Sequence, residues 1–137
     1  MVSPGGFTRD SYFSAYVTGL SNTISALQDT GRSSAHFVLV SSTGVYPYQN
    51  GELALEEDNL KSNKFPGDVL LQAEDIVQKS DLSYTVLRAG GIYGPARLRS
   101  IEMVRQKQSC FYKDANLYTN RIHVADLANM LVFCLQN

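Results

Sequence analysis

Two short clusters of small and polar residues carry most of the chemistry this sequence could perform. The first is Ser41-Ser42-Thr43-Gly44, which closes an apolar run. Its hydroxyls can donate hydrogen bonds, and its small side chains permit close approach by a flat ligand. The second is Ala89-Gly90-Gly91, at the head of Ala89-Gly90-Gly91-Ile92-Tyr93-Gly94, which fits G-x-G-x-x-G with alanine first. Such a turn cradles a pyrophosphate when a strand precedes it, a helix follows and an acidic strand end lies roughly 20 residues on. Here the following helix is short and no such acidic residue is found. Both clusters also fit ordinary strand-end turns, which favour serine and glycine.

Arg97 and Arg99 suit a phosphate or carboxylate group, although surface arginines are also commonly just solvated. His123 reads more readily as a structural hydrogen-bonding residue than as an acid or base, and Asp126 as a helix-start charge. His36, His123, Cys110 and Cys134 show no metal-ligand spacing, so no metal site is expected.

Regular elements must position these groups. Phe13, Tyr16, Val17, Leu20, Ile24 and Leu27 recur at helical spacing and predict a helix from about Ser11 to Asp29, with Asp10 as N-cap and Gly31 as stop. His36–Ser42 is continuously apolar and then polar, a strand pattern that predicts burial on both faces. Thr43–Lys64 reads as irregular, with a turn at Gln49-Asn50-Gly51. A helix opens near Pro66 with an apolar face of Val69, Leu70, Ala73, Ile76 and Val77. Ser83–Ala89 is a second strand, so strand, helix and strand make a right-handed βαβ unit. A Gly90–Pro95 turn, a weak helix at Leu98–Lys107 and a short strand at Leu117–Val124 follow. A last helix opens near Asp126 and turns Leu127, Leu131 and Cys134 inward. The opening Val2-Ser3-Pro4-Gly5-Gly6 looks like the end of another strand and its loop. In open parallel sheets ligands bind beyond the carboxyl ends of strands, which here are the two clusters above.

The 137 residues are read as one domain, with 44% hydrophobic and 18% charged residues. A net charge of −1 gives no electrostatic reason to expect nucleic acid or an anionic membrane as partner. No apolar stretch nears the roughly 18 residues of a membrane span. No signal peptide is visible at the N-terminus, and two well-separated cysteines are most simply reduced thiols, so a cytoplasmic location is expected.

Three segments carry a resemblance to a known family. Ser41-Ser42-Thr43-Gly44-Val45-Tyr46 resembles the S-S-x-x-V-Y-G segment of the extended short-chain dehydrogenases/reductases, the nucleotide-sugar epimerase and dehydratase group. Leu87-Arg88-Ala89-Gly90-Gly91-Ile92-Tyr93-Gly94-Pro95 resembles their L-R-x-x-x-x-Y-G-P segment, and Arg121-Ile122-His123-Val124-Ala125-Asp126 their I-H-V-x-D segment. The order of the three also agrees, and Val2–Asp29 is similar to the segment after that family's fourth strand.

The resemblance implies a Rossmann-like α/β fold with a doubly wound parallel sheet. Residues 1–137 would form one partial NAD(P)-binding domain, truncated ahead of the glycine-rich turn. It implies NAD or NADP as cofactor of a full-length parent, with weak or absent binding by this chain alone. Ser42 takes the place of the family's catalytic hydroxyl. Ser41, Thr43, Gly90, Gly91, Ile92, Tyr93 and Pro95 fall at cofactor positions, and Arg97, Arg99 and His123 on the substrate side. The family's Y-x-x-x-K pair, counted back from Glu74, falls on Pro66 and Leu70, neither of which can transfer a proton. Tyr48 and Lys64 are nearby but wrongly spaced. Typical sugar epimerases often carry asparagine just before Y-G-P, where this chain has Gly90-Gly91. The expected function is therefore an epimerase/dehydratase-like NAD(P) protein with an atypical active site. A non-catalytic dinucleotide-binding or sensor protein and an inactive gene fragment are the alternatives.

Overall fold

The computed structural model describes residues 4–32, 34–48, 51–58, 60–62, 64–108 and 119–136. The expected strand end at Val2-Ser3, the turn residues Gln49 and Asn50, Cys110, and Leu117 and Tyr118 of the short strand lie outside them. Helix α1 (Arg9–Phe13) runs through a π-helical segment, Ser14–Gly19, into α2 (Leu20–Asp29). Then come β1 (His36–Ser42), a 3₁₀ turn at Thr43–Val45, α3 (Gly67–Gln78) and β2 (Ser83–Ala89). The series ends with β3 (Gly91–Tyr93), α4 (Arg99–Arg105), β4 (Arg121–His123) and α5 (Val124–Gln136).

Local chemistry sets the helix ends. Thr8, not Asp10, caps the first helix: its hydroxyl accepts from the Ser11 N–H at 3.3 Å, and Asp10 sits in the first turn. Gly31 stops α2 as expected. Its φ of 69° lets its own N–H reach the Gln28 carbonyl at 3.0 Å, and that of Arg32 reach Leu27 at 2.9 Å. Pro66 stands just outside α3 rather than within its first turn. At the other end of the chain, His123 precedes α5 and its Nδ1 accepts from the Ala125 N–H at 3.2 Å, so the helix begins two residues before Asp126.

β1 and β2 pair in parallel over their whole length, from His36 opposite Ser83 to Ser42 opposite Ala89. His36 bonds the hydroxyls of Ser83 and Thr85 at 2.8 and 2.9 Å, which helps to fix the register. β3 and β4 form a second parallel pair, from Gly91 opposite Arg121 to Tyr93 opposite His123. The core gathers Leu20 and Ile24 of α2, Leu39 of β1, Ala73 and Val77 of α3, and Leu82. Helices α2 and α3 thus cover one face of β1, where Leu39 and Ser41 are buried. Val38 and Val40, on the alternate face, are only half-buried. Burial on both faces is therefore not complete, despite the unbroken apolar run. In α5 the inward face is narrower than expected: Leu127 is buried, Leu131 and Cys134 are half-buried, and Phe133 and Leu135 are exposed.

Candidate functional site at the strand ends

The parallel register brings the first two clusters together, because Ser42 lies directly opposite Ala89 and Gly90 follows. Ser42 is half-buried with extended backbone, and its hydroxyl oxygen accepts from the Gly44 N–H at 3.1 Å. An oxygen that accepts there keeps its own O–H free to donate. Thr43 is half-buried beside it. The 3₁₀ turn that follows is anchored by Val45, which is fully buried. Helix α3 abuts this turn so closely that a Cβ on Gly67 would stand 2.6 Å from the Gly44 carbonyl oxygen. Glycine at the first position of α3 is what permits that approach.

Ser41 faces the other way. It is buried and donates a 2.5 Å hydrogen bond to Glu74 of α3, so its side chain serves the protein interior rather than a cofactor. Glu74 is also gripped by Arg88 of β2, with the shortest contact at 2.9 Å. Arg88 further donates to the Tyr46 hydroxyl at 2.9 Å and to the Glu56 carbonyl at 3.2 Å, with its guanidinium over the Tyr46 ring. The Glu74 carboxylate, burial and Tyr46 act on Arg88 together, and the net result holds it more firmly protonated than a free arginine. This ion pair ties β1, β2 and α3 together behind Ser42 and reaches Tyr46 and Glu56 as well. The sequence signalled Arg88 and Glu74 only as motif landmarks, since nothing in their spacing pairs them.

The expected Gly90–Pro95 turn is a strand over Gly91–Tyr93. Its backbone is committed to β4, with the Gly91 N–H on the Asn120 carbonyl at 2.8 Å. A pyrophosphate cradle needs free N–H groups at a turn that leads into a helix, so the Ala89–Gly94 match to the glycine fingerprint does not make one. Close approach at Gly90 is made by the chain itself: a Cβ there would stand 2.8 Å from the Asn120 carbonyl oxygen. Gly91 faces the Arg121 side chain, with its Nη1 at 3.1 Å from a built Cβ. A β-branched residue at Gly91 would thus disturb Arg121 as well as any ligand.

Beyond β3 the chain makes a tight turn, Gly94-Pro95-Ala96-Arg97, closed by the Arg97 N–H on the Gly94 carbonyl at 3.0 Å. Gly94 and Ala96 have φ of 136° and 62°. Proline followed by positive φ is the type II pattern, in which glycine is usual at the Ala96 position. A cleft of about 1070 Å³ lies between β3, this turn and α4. Gly91, Ile92, Tyr93, Arg97 and Arg99 line it, and so does Arg121, which sequence reasoning had not singled out. Tyr93 meets the His123 ring edge-on at 5.2 Å between centroids. With Nδ1 of His123 accepting from the α5 N-terminus, Nε2 is the position left to carry the proton in the neutral ring. A second cleft, of about 650 Å³, runs along β2 and is bordered by Thr43 and Gly90 among others.

Of the expected site residues, the structure brings Ser42, Thr43 and Gly90 to one sheet edge. It gathers Gly91, Ile92, Tyr93, Arg97 and Arg99 in the neighbouring cleft. His123 gives its Nδ1 to the α5 cap, Pro95 is exposed in the turn, and Ser41 points inward. Leu70 is buried in the core and Pro66 flanks α3. Tyr48 donates to Asp58 at 2.9 Å, and that hydrogen bond raises its pKa, the opposite of what a proton-transferring tyrosine needs. Among the described residues no group of three or more His, Cys, Asp or Glu side chains could hold a metal. No described helix is long and apolar enough to cross a membrane.

Parallel strands with covering helices define a Rossmann-like α/β fold. The chain belongs to the NAD(P)H-binding family, whose pattern it matches over residues 3–137, and within it to the epimerase-like short-chain dehydrogenases/reductases. It is similar to a solved structure from Methylobacillus flagellatus described as an NAD-dependent epimerase/dehydratase, with 37% identity and a TM-score of 0.74. The match covers 93% of this chain and 44% of that one, so the chain spans less than half of that protein's length. Among curated proteins, none matches this chain.

Proposed function

We propose that the β1 and β2 ends of this chain form the nicotinamide and substrate side of an epimerase/dehydratase-like NAD(P) protein. The observation that carries this is the register placing Ser42 opposite Ala89, with Thr43 and Gly90 beside them. Ser42 and Thr43 are only half-buried, which leaves them open to a ligand, and the free Ser42 O–H can donate to the reacting oxygen of a substrate. Bound, the dinucleotide would accept or supply a hydride. The chain's own part is to seat the ring end at Thr43 and Gly90 and to polarise the substrate oxygen at Ser42 Oγ.

A second reading, a non-catalytic dinucleotide-binding or sensor protein, draws support from the buried Leu70 and from Pro66 at the proton-transfer positions. Amide shifts followed by nuclear magnetic resonance during titration with NADH and NADPH test the site, including in the weak-binding regime. The expected result is saturable shifts centred on Ser42, Thr43 and Gly90. Shifts centred elsewhere would displace the assignment. Loss of any NAD(P)H oxidation in Ser42→Ala favours the enzyme, whereas unchanged dinucleotide binding with no oxidation in either form favours the sensor.

A further inference from the structure

Helix α4 and the residues that end it are exposed from Arg99 to Gln108. A helix of seven residues is too short to be stable in water by itself. Its end is closed by the chain's own backbone. The Lys107 N–H bonds the Val104 carbonyl at 3.0 Å and the Gln108 N–H that of Met103 at 2.8 Å, with Lys107 at a φ of 56°. Leu98, Ile101 and Glu102 line the cleft toward β3. Met103, Val104, Arg105 and Lys107 stand outside that lining, and Val104 is 62% exposed. The outer side of α4 thus offers two apolar and two cationic side chains. A second exposed segment, residues 51–57, has the opposite charge. It carries Leu53, 80% exposed, and Leu55 beside Glu56 and Glu57. Asp58, next in the chain, is already held by Tyr48. Among the described residues no ion pair includes Arg105, Lys107, Glu56 or Glu57, so the two segments do not pair their charges within one chain.

We propose that the outer side of α4 docks on residues 53–57 of a second copy of this chain, about a two-fold axis. Arg105 and Lys107 of one copy meet Glu56 and Glu57 of the other, and Met103 and Val104 cover Leu53 and Leu55. Two-fold pairing lets each copy give and receive the same contact, so both segments of both copies are covered at once. The two parts of the contact have different roles. Exposed ion pairs add little affinity, so burial of the four apolar side chains supplies most of it. The charges select the partner segment, because any other pairing of these surfaces sets like charges together. The exposed apolar side chains of α5 have no such selection, since the one charged residue of that helix is Asp126 at its start.

Sedimentation of the whole chain over a range of concentrations tests this, first at low ionic strength, where screening is weakest. The expected result is a monomer–dimer equilibrium that weakens as salt is added. In E56K/E57K and in R105E/K107E both contacts of the pair set like charges together, and dimerisation should weaken on the order of tenfold or more in each. Mixing the two variants restores opposite charges at both contacts, so a mixed dimer should form with about the original affinity. Val104→Ser, which keeps every charge, should also weaken the dimer. All the replaced side chains are exposed, and hydrogen exchange checks that each variant is folded. A monomer at every concentration would overturn the proposal. So would association that persists in both charge-reversed variants, which would point to the α5 face instead. Failure of the mixed variants to pair, or growth beyond two chains, would overturn the two-fold contact.

Discussion

At the scale of single residues, Tyr48 illustrates how type and position can mislead. It is a tyrosine close to the site, yet its hydroxyl is held by Asp58, and Glu52 adds further negative potential. The hydrogen bond to Asp58 is the main cause of its raised pKa, with slight burial next. Phenol protonated is the bonded form, so this interaction stabilises the fold below the ordinary tyrosine value of about 10 and is lost as pH rises through the folded value. Asp58→Asn is expected to bring the Tyr48 titration down toward that ordinary value. Phenolate absorbance across the alkaline range, with Tyr48→Phe to assign the signal, measures it. An unchanged titration would mean that the Asp58 bond does not form in solution. Ser41 and Ser42 give the opposite lesson. They are adjacent and alike, but strand alternation sends one to Glu74 and the other to the Gly44 N–H.

At the scale of elements, the Glu74–Arg88 pair is the join between helix and strands. The Glu74 side chain is 3% exposed and that of Arg88 18%, so both are largely shielded from water. Removing one partner of such a pair strands the other charge, at a typical cost of about 3–5 kcal/mol. Glu74→Ala is expected to destabilise the protein by that order, with Glu74→Gln intermediate because its amide oxygen still accepts from Ser41 and Arg88. Urea unfolding of the three forms gives the values. Equal midpoints would show that the clamp adds nothing to stability. Because Ser41 is part of the same network, loosening it should also blur the position of Ser42, visible as broadened amide signals at the β1 end.

For the whole molecule, the arrangement of donors sets what the chain can hold. Pyrophosphate binding in this fold class uses the N–H groups of a glycine turn at a helix N-terminus. The one stretch of this sequence that matches the pattern, Ala89–Gly94, is occupied in pairing with β4. Residues 1–137 alone are therefore expected to bind NAD or NADP more weakly than the micromolar range, about −8.2 kcal/mol, that a full set of contacts supplies. Calorimetric titration with both dinucleotides checks this. Micromolar binding by the folded monomer would require a phosphate site among these residues. The exposed Val132, Phe133 and Leu135 of α5 make sedimentation a needed companion measurement, since an apolar face of that kind favours self-association.

The sequence by itself determined the order of elements and the location of the strand ends. An apolar run within the strand pattern at 36–42, a helical repeat at 66–77 and a second strand pattern at 83–89 leave little choice but a parallel βαβ unit. Three short motifs then named the family without any coordinates. Local pattern could not decide which hydroxyl turns inward, because that depends on which face of β1 the helices cover. It could not tell a glycine turn from a glycine strand at 90–93 either, since only the partner strand at 121–123, some thirty residues away in sequence, supplies the hydrogen bonds. Nor could it pair Glu74 with Arg88 or bring Arg121 beside Arg97 and Arg99. Those are contacts between separate segments, and they exist only once the chain has closed on itself, because charge and hydrogen bonding act through space and not along the sequence.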